Sequence, residues 1–348
     1  QRGKQMSKKR EVGKGISDGV LGEAASRFGV AKDEFTKLHD SFIIREDNAT
    51  VGKSLYLYER EGKNFLLRLT IPEYVGFELI PGEADWINYL ADNGVCVPRA
   101  IPSQSGNLVE IIEVDNSSCA AVSFERVEGK PIDFDDGDEW NGELFAKHGR
   151  TIGKMHALTK KYAPADKSLI RMQWHEQDWL DSRLLPPKSL VRRKCDELMQ
   201  TLHSLPKDGN SYGLIHGDAH PWNVLLHEGK IVLTDFDFCE QSWFASDIAI
   251  ILFYAVTAPV EGMDKISFAA YFMRNFMSGY EKENVLDARW PKQISSFLRL
   301  RMISKYILHY PEWKSGRLSE KGKSAFMEWK RKIENDIPYL DVDFSELG

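Results

Sequence analysis

The chain has 348 residues, 42% hydrophobic and 28% charged, enough for two lobes each with its own apolar core. Its formal net charge is −6, and because the first fifteen residues hold six basic side chains and one acid, the remainder carries −11. An acidic body repels nucleic acid and anionic membranes, so the basic stretch Lys8-Lys9-Arg10 would have to act alone as a nucleic-acid patch, and neither partner is expected.

Residues 1–16 are expected to be a disordered or added N-terminus. Residues 17–29 have helical periodicity and end on a glycine. Residues 35–44, 54–60 and 64–70 alternate as strands, the last two joined through Glu61-Gly62-Lys63 as a hairpin. Residues 81–93 form a helix, and 108–114 and 120–124 are strand-like again. After Gly129 the pattern is mainly helical, over 142–161, 190–205, 245–256, 266–281, 291–309 and 320–335. The reading is a small lobe over 17–125 and a large lobe over 126–348. Cys96, Cys119, Cys195 and Cys239 lack metal-ligand or redox spacing, no secretory h-region is evident, and the apolar run 248–256 is too short to cross a bilayer. A reducing cytoplasm is expected, with the oligomeric state left open.

The densest chemistry lies in His216-Gly217-Asp218-Ala219-His220-Pro221-Trp222-Asn223, followed by Asp235-Phe236-Asp237. Short apolar segments at 213–215, 224–227 and 231–234 place these polar groups on turns between strands. Asp218 and Asn223 hold the Asp-x-x-x-x-Asn spacing of phosphoryl-transfer catalytic loops, with a metal-binding Asp after a short hairpin. A carboxylate there can orient an acceptor hydroxyl and take its proton late, which fits Asp218. Mg²⁺ prefers oxygen ligands, which fits Asn223 and Asp235, with Asp237 a second metal neighbour.

These residues resemble the aminoglycoside phosphotransferase and choline kinase family of kinase-like enzymes, for which His-Gly-Asp-x-His-x-x-Asn is the form of the loop. Gly217 stands where protein kinases have Arg, and Asp237 where they have the Gly of Asp-Phe-Gly. The stretch from Phe238-Cys239 to Trp243-Phe244-Ala245-Ser246-Asp247-Ile248-Ala249 is similar to the branch with type II homoserine kinases and the bacterial stress-response kinase. The resemblance implies an α+β, bilobal protein-kinase-like fold, with a small lobe of antiparallel sheet plus helix and a large, mainly helical lobe. It implies ATP and Mg²⁺ as cofactors and transfer of the γ-phosphoryl to a hydroxyl without naming the acceptor; the leading reading is a small-molecule alcohol, whether amino alcohol, aminoglycoside, homoserine-like compound or sugar. His216 would brace the loop, His220 would either brace it or approach phosphate, and Asp247, at a helix start, would support it.

In the small lobe the resemblance assigns Arg68 to the α- and β-phosphates, held by Glu83 on the following helix; a surface ion pair is the alternative. The segment 47–54 is expected as the nucleotide loop, with Asn48, Gly52 and Lys53, although it holds one glycine. Gly52-Lys53-Ser54 also mimics the end of a Walker A loop, but that reading fails, because the first glycine of the pattern would fall on Asp47 and no following helix is evident. The segment 123–127, with Glu125 and Val127, would read adenine.

Other features carry competing readings. Asp133, Asp135, Asp136, Asp138 and Glu139 are either a solvated charge run or an attraction for a cationic acceptor. Trp174, Trp179, Trp222 and Trp243 are either core or an aromatic wall for a quaternary amine. His156 is expected in the core. Three other functions remain open: a protein Ser/Thr kinase, a metal-dependent hydrolase using His216, Asp218 and His220, and a nucleotide-binding scaffold without catalysis.

Overall fold

A computed structural model describes residues 16–44, 50–71, 76–114, 117–177 and 180–344; Asn48 and Trp179 lie outside them. The chain divides into two compact units, one of residues up to Asp85 together with Pro98–Arg126, the other of Trp86–Val97 with Val127 onward.

In the first unit, helix α1 (Asp18–Phe28) begins at Ser17, whose hydroxyl accepts from the Val20 amide at 3.3 Å, and ends at Gly29 with φ 71°. Strands β1 (Thr36–Ile44), β2 (Thr50–Arg60) and β3 (Lys63–Thr70) form a meander. Arg60 pairs with Lys63 across Glu61 and Gly62, both at positive φ (54° and 74°), so the turn twists as the strands do. Helix α2 (Ile80–Asp92) follows, then β4 (Ala100–Ile101), β5 (Glu110–Val114) and β6 (Ser117–Glu125). All pairings are antiparallel; β6 lies against β3 on one edge and against β4 and β5 on the other. Alternation sends Phe65, Leu67 and Leu69 of β3 into a core with Tyr56, Tyr58, Ile112, Val20 and Phe28.

One expectation changes here. The ladder between β1 and β2 runs as far as Ile44 opposite Thr50, so Gly52 and Lys53 are strand residues, paired with Phe42 and Ser41, and the expected loop is shorter. Strand β2 continues to Arg60 with no helix, as expected from the failure of the Walker A reading. Strand β4 escaped the sequence because two residues cannot display alternation.

Beyond Trp86–Val97, the second unit holds β7 (Lys130–Pro131) and α3 (Gly142–Thr159), then α4 (Leu190–His203). Strands β8 (Tyr212–Ile215), β9 (Val224–His227), β10 (Lys230–Leu233) and β11 (Glu240–Trp243) precede α5 (Phe244–Ala255), α6 (Lys265–Tyr280), α7 (Ile294–Lys314) and α8 (Glu320–Glu334). The β9–β10 hairpin takes β7 on its free edge, and β8 pairs with β11, whose polar Glu240-Gln241-Ser242 hides its strand character. Helix α7 runs past the expected end at His309 and carries Pro311 within it. Helices α3 and α6 touch backbone to backbone: a Cβ at Gly149 would lie 1.9 Å from the Phe276 carbonyl oxygen, and one at Gly279 would lie 1.8 Å from that of Ala146. This approach seats His156 beside Tyr280, whose hydroxyl is 2.9 Å from Nδ1.

Candidate active site

The loop that follows β8 is suspended from Asp247, a fully buried residue in the first turn of α5. One carboxylate oxygen accepts from the His216 amide at 3.0 Å and from His156 Nε2 at 3.2 Å, and the other accepts from the Gly217 amide at 3.1 Å. Burial holds the His156 imidazole below its ordinary pKa, and its ring stacks on Phe244 at 4.5 Å.

His216 spends both ring nitrogens inside the protein. Nε2 donates to the Thr234 carbonyl at 3.0 Å and Nδ1 accepts from the Asp218 amide at 3.3 Å, so the ring ties the loop to the end of the β9–β10 hairpin. Neither nitrogen is left for a metal, which removes the hydrolase reading of the His-x-Asp-x-His run. Among the described residues no group of three or more His, Cys, Asp or Glu could hold an ion.

Gly217 stands at φ 75°, and a Cβ there would lie 2.2 Å from the Phe238 carbonyl oxygen. The loop and the segment after Asp235 are pressed together too tightly for the arginine of protein kinases. Arg171 pins that segment from behind, donating to the carbonyls of Cys239 (2.7 Å) and Asp237 (2.6 Å). Asp237 is buried, with its carbonyl so engaged.

Asp218 projects from the loop with its side chain 14% exposed. Its Oδ1 accepts from Arg301 Nη2, which also donates to the Tyr254 hydroxyl at 2.9 Å. Its Oδ2 is approached by Asn223 Nδ2 and His220 Nε2, each at 3.4 Å. Burial pushes the Asp218 carboxyl upward, but Arg301, His220 and His216 outweigh it and hold it at about 2. Asn223 Nδ2 also donates to the Asp218 carbonyl at 3.0 Å, which commits the amide nitrogen to the loop and turns Oδ1 toward other partners. Thr234 returns two bonds to the Asn223 carbonyl, from its amide and its hydroxyl, both 3.0 Å. Asp235 comes next in the chain, at a φ of 66°, a conformation that disfavours L side chains.

In the first unit, Arg68 and Glu83 form a bidentate pair, Nη1 to Oε1 at 2.6 Å and Nη2 to Oε2 at 2.9 Å. Both are buried, 5% and 1% exposed, so the surface ion-pair alternative falls. The guanidinium also lies over the Phe124 ring at 5.2 Å. Lys53 is buried, and Glu125, at the end of β6, is exposed. Val127 begins the return to the second unit.

Two partners escaped the sequence. Arg301 lies in α7, where Arg299 and Arg301 both sit between apolar residues; nothing local says that Arg299 pairs with Asp336 while Arg301 reaches Asp218. Glu240 on β11 is buried and accepts from Gln177 Nε2 at 2.8 Å; burial raises its carboxyl to about 8. Trp174 and Trp243 are core, 5.2 Å apart, whereas Trp222 is half exposed. In the acidic run, Asp133 and Asp136 cap turns, and Glu139 pairs with Lys130.

Comparison with known proteins agrees with this geometry. The profile of the phosphotransferase enzyme family matches residues 50–284. The amicoumacin kinase of Bacillus subtilis (strain 168) is 34% identical over 334 residues, covering 94% of this chain and 95% of the relative. A solved structure of an amicoumacin kinase in complex with AMP-PNP, Ca²⁺ and Ami superposes with a TM-score of 0.85 at 32% identity, covering 94% of this chain and 96% of that one. A microcompartment-associated aminopropanol kinase shares the fold, with a TM-score of 0.65 at 20% identity over 90% and 94% of the two chains. This chain therefore belongs to the phosphotransferase enzyme family, with its α+β protein-kinase-like fold, and is an ATP-dependent kinase of small molecules.

Proposed function

We propose that the chain moves the γ-phosphoryl of Mg²⁺-ATP to a hydroxyl of an amicoumacin-like amino alcohol, with Asp218 receiving the hydroxyl proton. The observation that carries this reading is the asymmetry of the Asp218 carboxylate. Arg301 occupies Oδ1, while among the described residues Oδ2 has two long contacts, both 3.4 Å, and is the oxygen an acceptor hydroxyl would meet. A carboxylate held at about 2 is a weak base, so it orients the hydroxyl early and takes the proton as the oxygen–phosphorus bond forms.

Asn223 Oδ1 and Asp235 fit a divalent ion: both are hard oxygen donors, and the bonds of Asn223 Nδ2 fix which end of the amide is offered. Asp237 would be a secondary neighbour. When bound, the ion neutralises charge on the phosphate oxygens. Arg68, locked by Glu83, would grip the α- and β-phosphates, with Asn48, Gly52 and Lys53 near the phosphates and Glu125 and Val127 near adenine. His216, His220 and Asp247 hold the loop still while the acceptor is oriented.

The test is ATP consumption with amicoumacin, aminopropanol, homoserine, an aminoglycoside and a protein substrate, each product weighed by mass spectrometry. The reading expects one added phosphoryl on amicoumacin. ATP consumption no faster than the acceptor-free rate with every compound would overturn it.

A further inference from the structure

Trp222 sits inside the loop, between Pro221 and Asn223, yet it is 49% exposed. Its ring faces Phe134 at 4.8 Å, tilted by 35°, and lies 6.2 Å from Tyr254. His220 completes the surface, 4.6 Å from Tyr254 and 5.8 Å from Trp222, with Nε2 3.4 Å from Asp218 Oδ2. Phe134 is fixed from beneath by buried Trp140, 4.9 Å away, whose indole N–H donates to the Ala258 carbonyl at 2.7 Å. A connected row of partly exposed rings therefore leads up to the oxygen that the reaction needs. Single exposed aromatics are ordinary, but a contiguous patch beside reactive groups marks a binding surface.

Its charge setting decides what it binds. The Tyr254 ring already carries two cations, with Arg301 Cζ at 5.2 Å and Lys305 Nζ at 5.5 Å from its centroid. A positively charged ligand group on that ring would meet both of them. In the run that carries Phe134, Asp133 and Asp136 are spent on turns and Glu139 on Lys130, so those three carboxylates are engaged within the protein. Among the described residues, Tyr254 is the one of the three rings that lies against fixed cations, and its face suits a neutral, electron-rich plane better than a quaternary ammonium.

We propose that Trp222, Phe134 and Tyr254 form an acceptor subsite for a neutral planar ring, which aligns the acceptor's hydroxyl with Asp218. The inference rests on the kinase reading and names the part of the acceptor that the enzyme recognises. The reacting hydroxyl reaches Oδ2 because the ring is held a fixed distance from it.

Steady-state kinetics with amicoumacin at saturating Mg²⁺-ATP test this in the intact chain. Trp222→Ala should raise KM for amicoumacin by about three- to tenfold, the size expected for losing one aromatic pair, with a smaller change in kcat. Trp222→Phe should recover most of the loss, and KM for ATP should stay within about twofold. Trp222→Leu, apolar but without a π-face, serves if the alanine variant does not fold, and should also raise KM. Tetramethylammonium should not compete with amicoumacin. An unchanged KM in the folded alanine or leucine variant, or competition by tetramethylammonium that disappears in Trp222→Ala, would overturn the subsite. A wild-type enzyme inert toward amicoumacin would instead overturn the proposed function, and this inference with it.

Discussion

Arg301 and Asp218, eighty-three positions apart, meet through a single guanidinium nitrogen that also holds the Tyr254 hydroxyl. The contact takes up one carboxylate oxygen, leaves the other with longer contacts, and keeps Asp218 ionised despite its burial. At about 2, its carboxyl lies well below the working range, so wild-type turnover should show no acid limb from Asp218 above pH 5. In Arg301→Met burial is no longer opposed by that cation, the Asp218 pKa rises, and an acid limb should enter the kcat profile. Arg301→Lys should restore most of the wild-type shape. Superimposable profiles of all three enzymes would mean that Arg301 acts elsewhere.

Asp235 is held at positive φ, which costs an L side chain about 1 kcal/mol or more and costs glycine little. Asp235→Ala and Asp235→Gly should both lose phosphoryl transfer, because neither offers a carboxylate to the ion. The glycine variant should unfold at the higher denaturant concentration of the two, by about 1 kcal/mol. Near-normal turnover in either variant would remove Asp235 from the metal site.

The buried Arg68–Glu83 pair predicts a selective loss. Arg68→Ala should weaken ATP more than adenosine, since only the phosphate-bearing ligand loses a charge-assisted contact worth about 1.5 to 3 kcal/mol. Glu83→Gln should show a milder form. Calorimetry with both ligands decides it: equal losses would indicate a role in folding alone.

Glu240 gives a stability signature. Burial raises its carboxyl from the usual range to about 8, so the folded state takes up a proton that the unfolded state releases. Its contribution is most favourable below the ordinary carboxylate pKa and is lost as pH rises toward 8. The wild-type Tm should therefore fall between pH 6 and 9 by more than that of Glu240→Gln, which keeps the shape without the titration. Parallel Tm profiles for the two proteins would contradict this.

The candidate loop was legible as a turn between strands because its signals are local: Asp218, Asn223 and Asp235 stand out by spacing, and short apolar runs on either side mark the strands. The ends of α1 were legible for the same reason, with Ser17 and Gly29 as its caps. What the sequence hid depends on distant partners. Arg301 and Arg299 have the same apolar flanks and opposite destinations, and Glu240 lies in a polar run that only its pairing with β8 turns into a strand. Gly217 is the intermediate case. Its presence in the loop was visible, but the reason, the Phe238 carbonyl lying against it, belongs to the packed structure.

The most direct test of the account is Asp218→Asn, which keeps the shape of the side chain and removes its capacity to accept a proton. With folding checked by circular dichroism, ATP affinity should persist by calorimetry while kcat with the acceptor falls by roughly 10²- to 10⁴-fold. A variant that turns over at the wild-type rate, or one that loses ATP binding and keeps its turnover at saturation, would contradict the assignment of Asp218 as the group that takes the acceptor's proton.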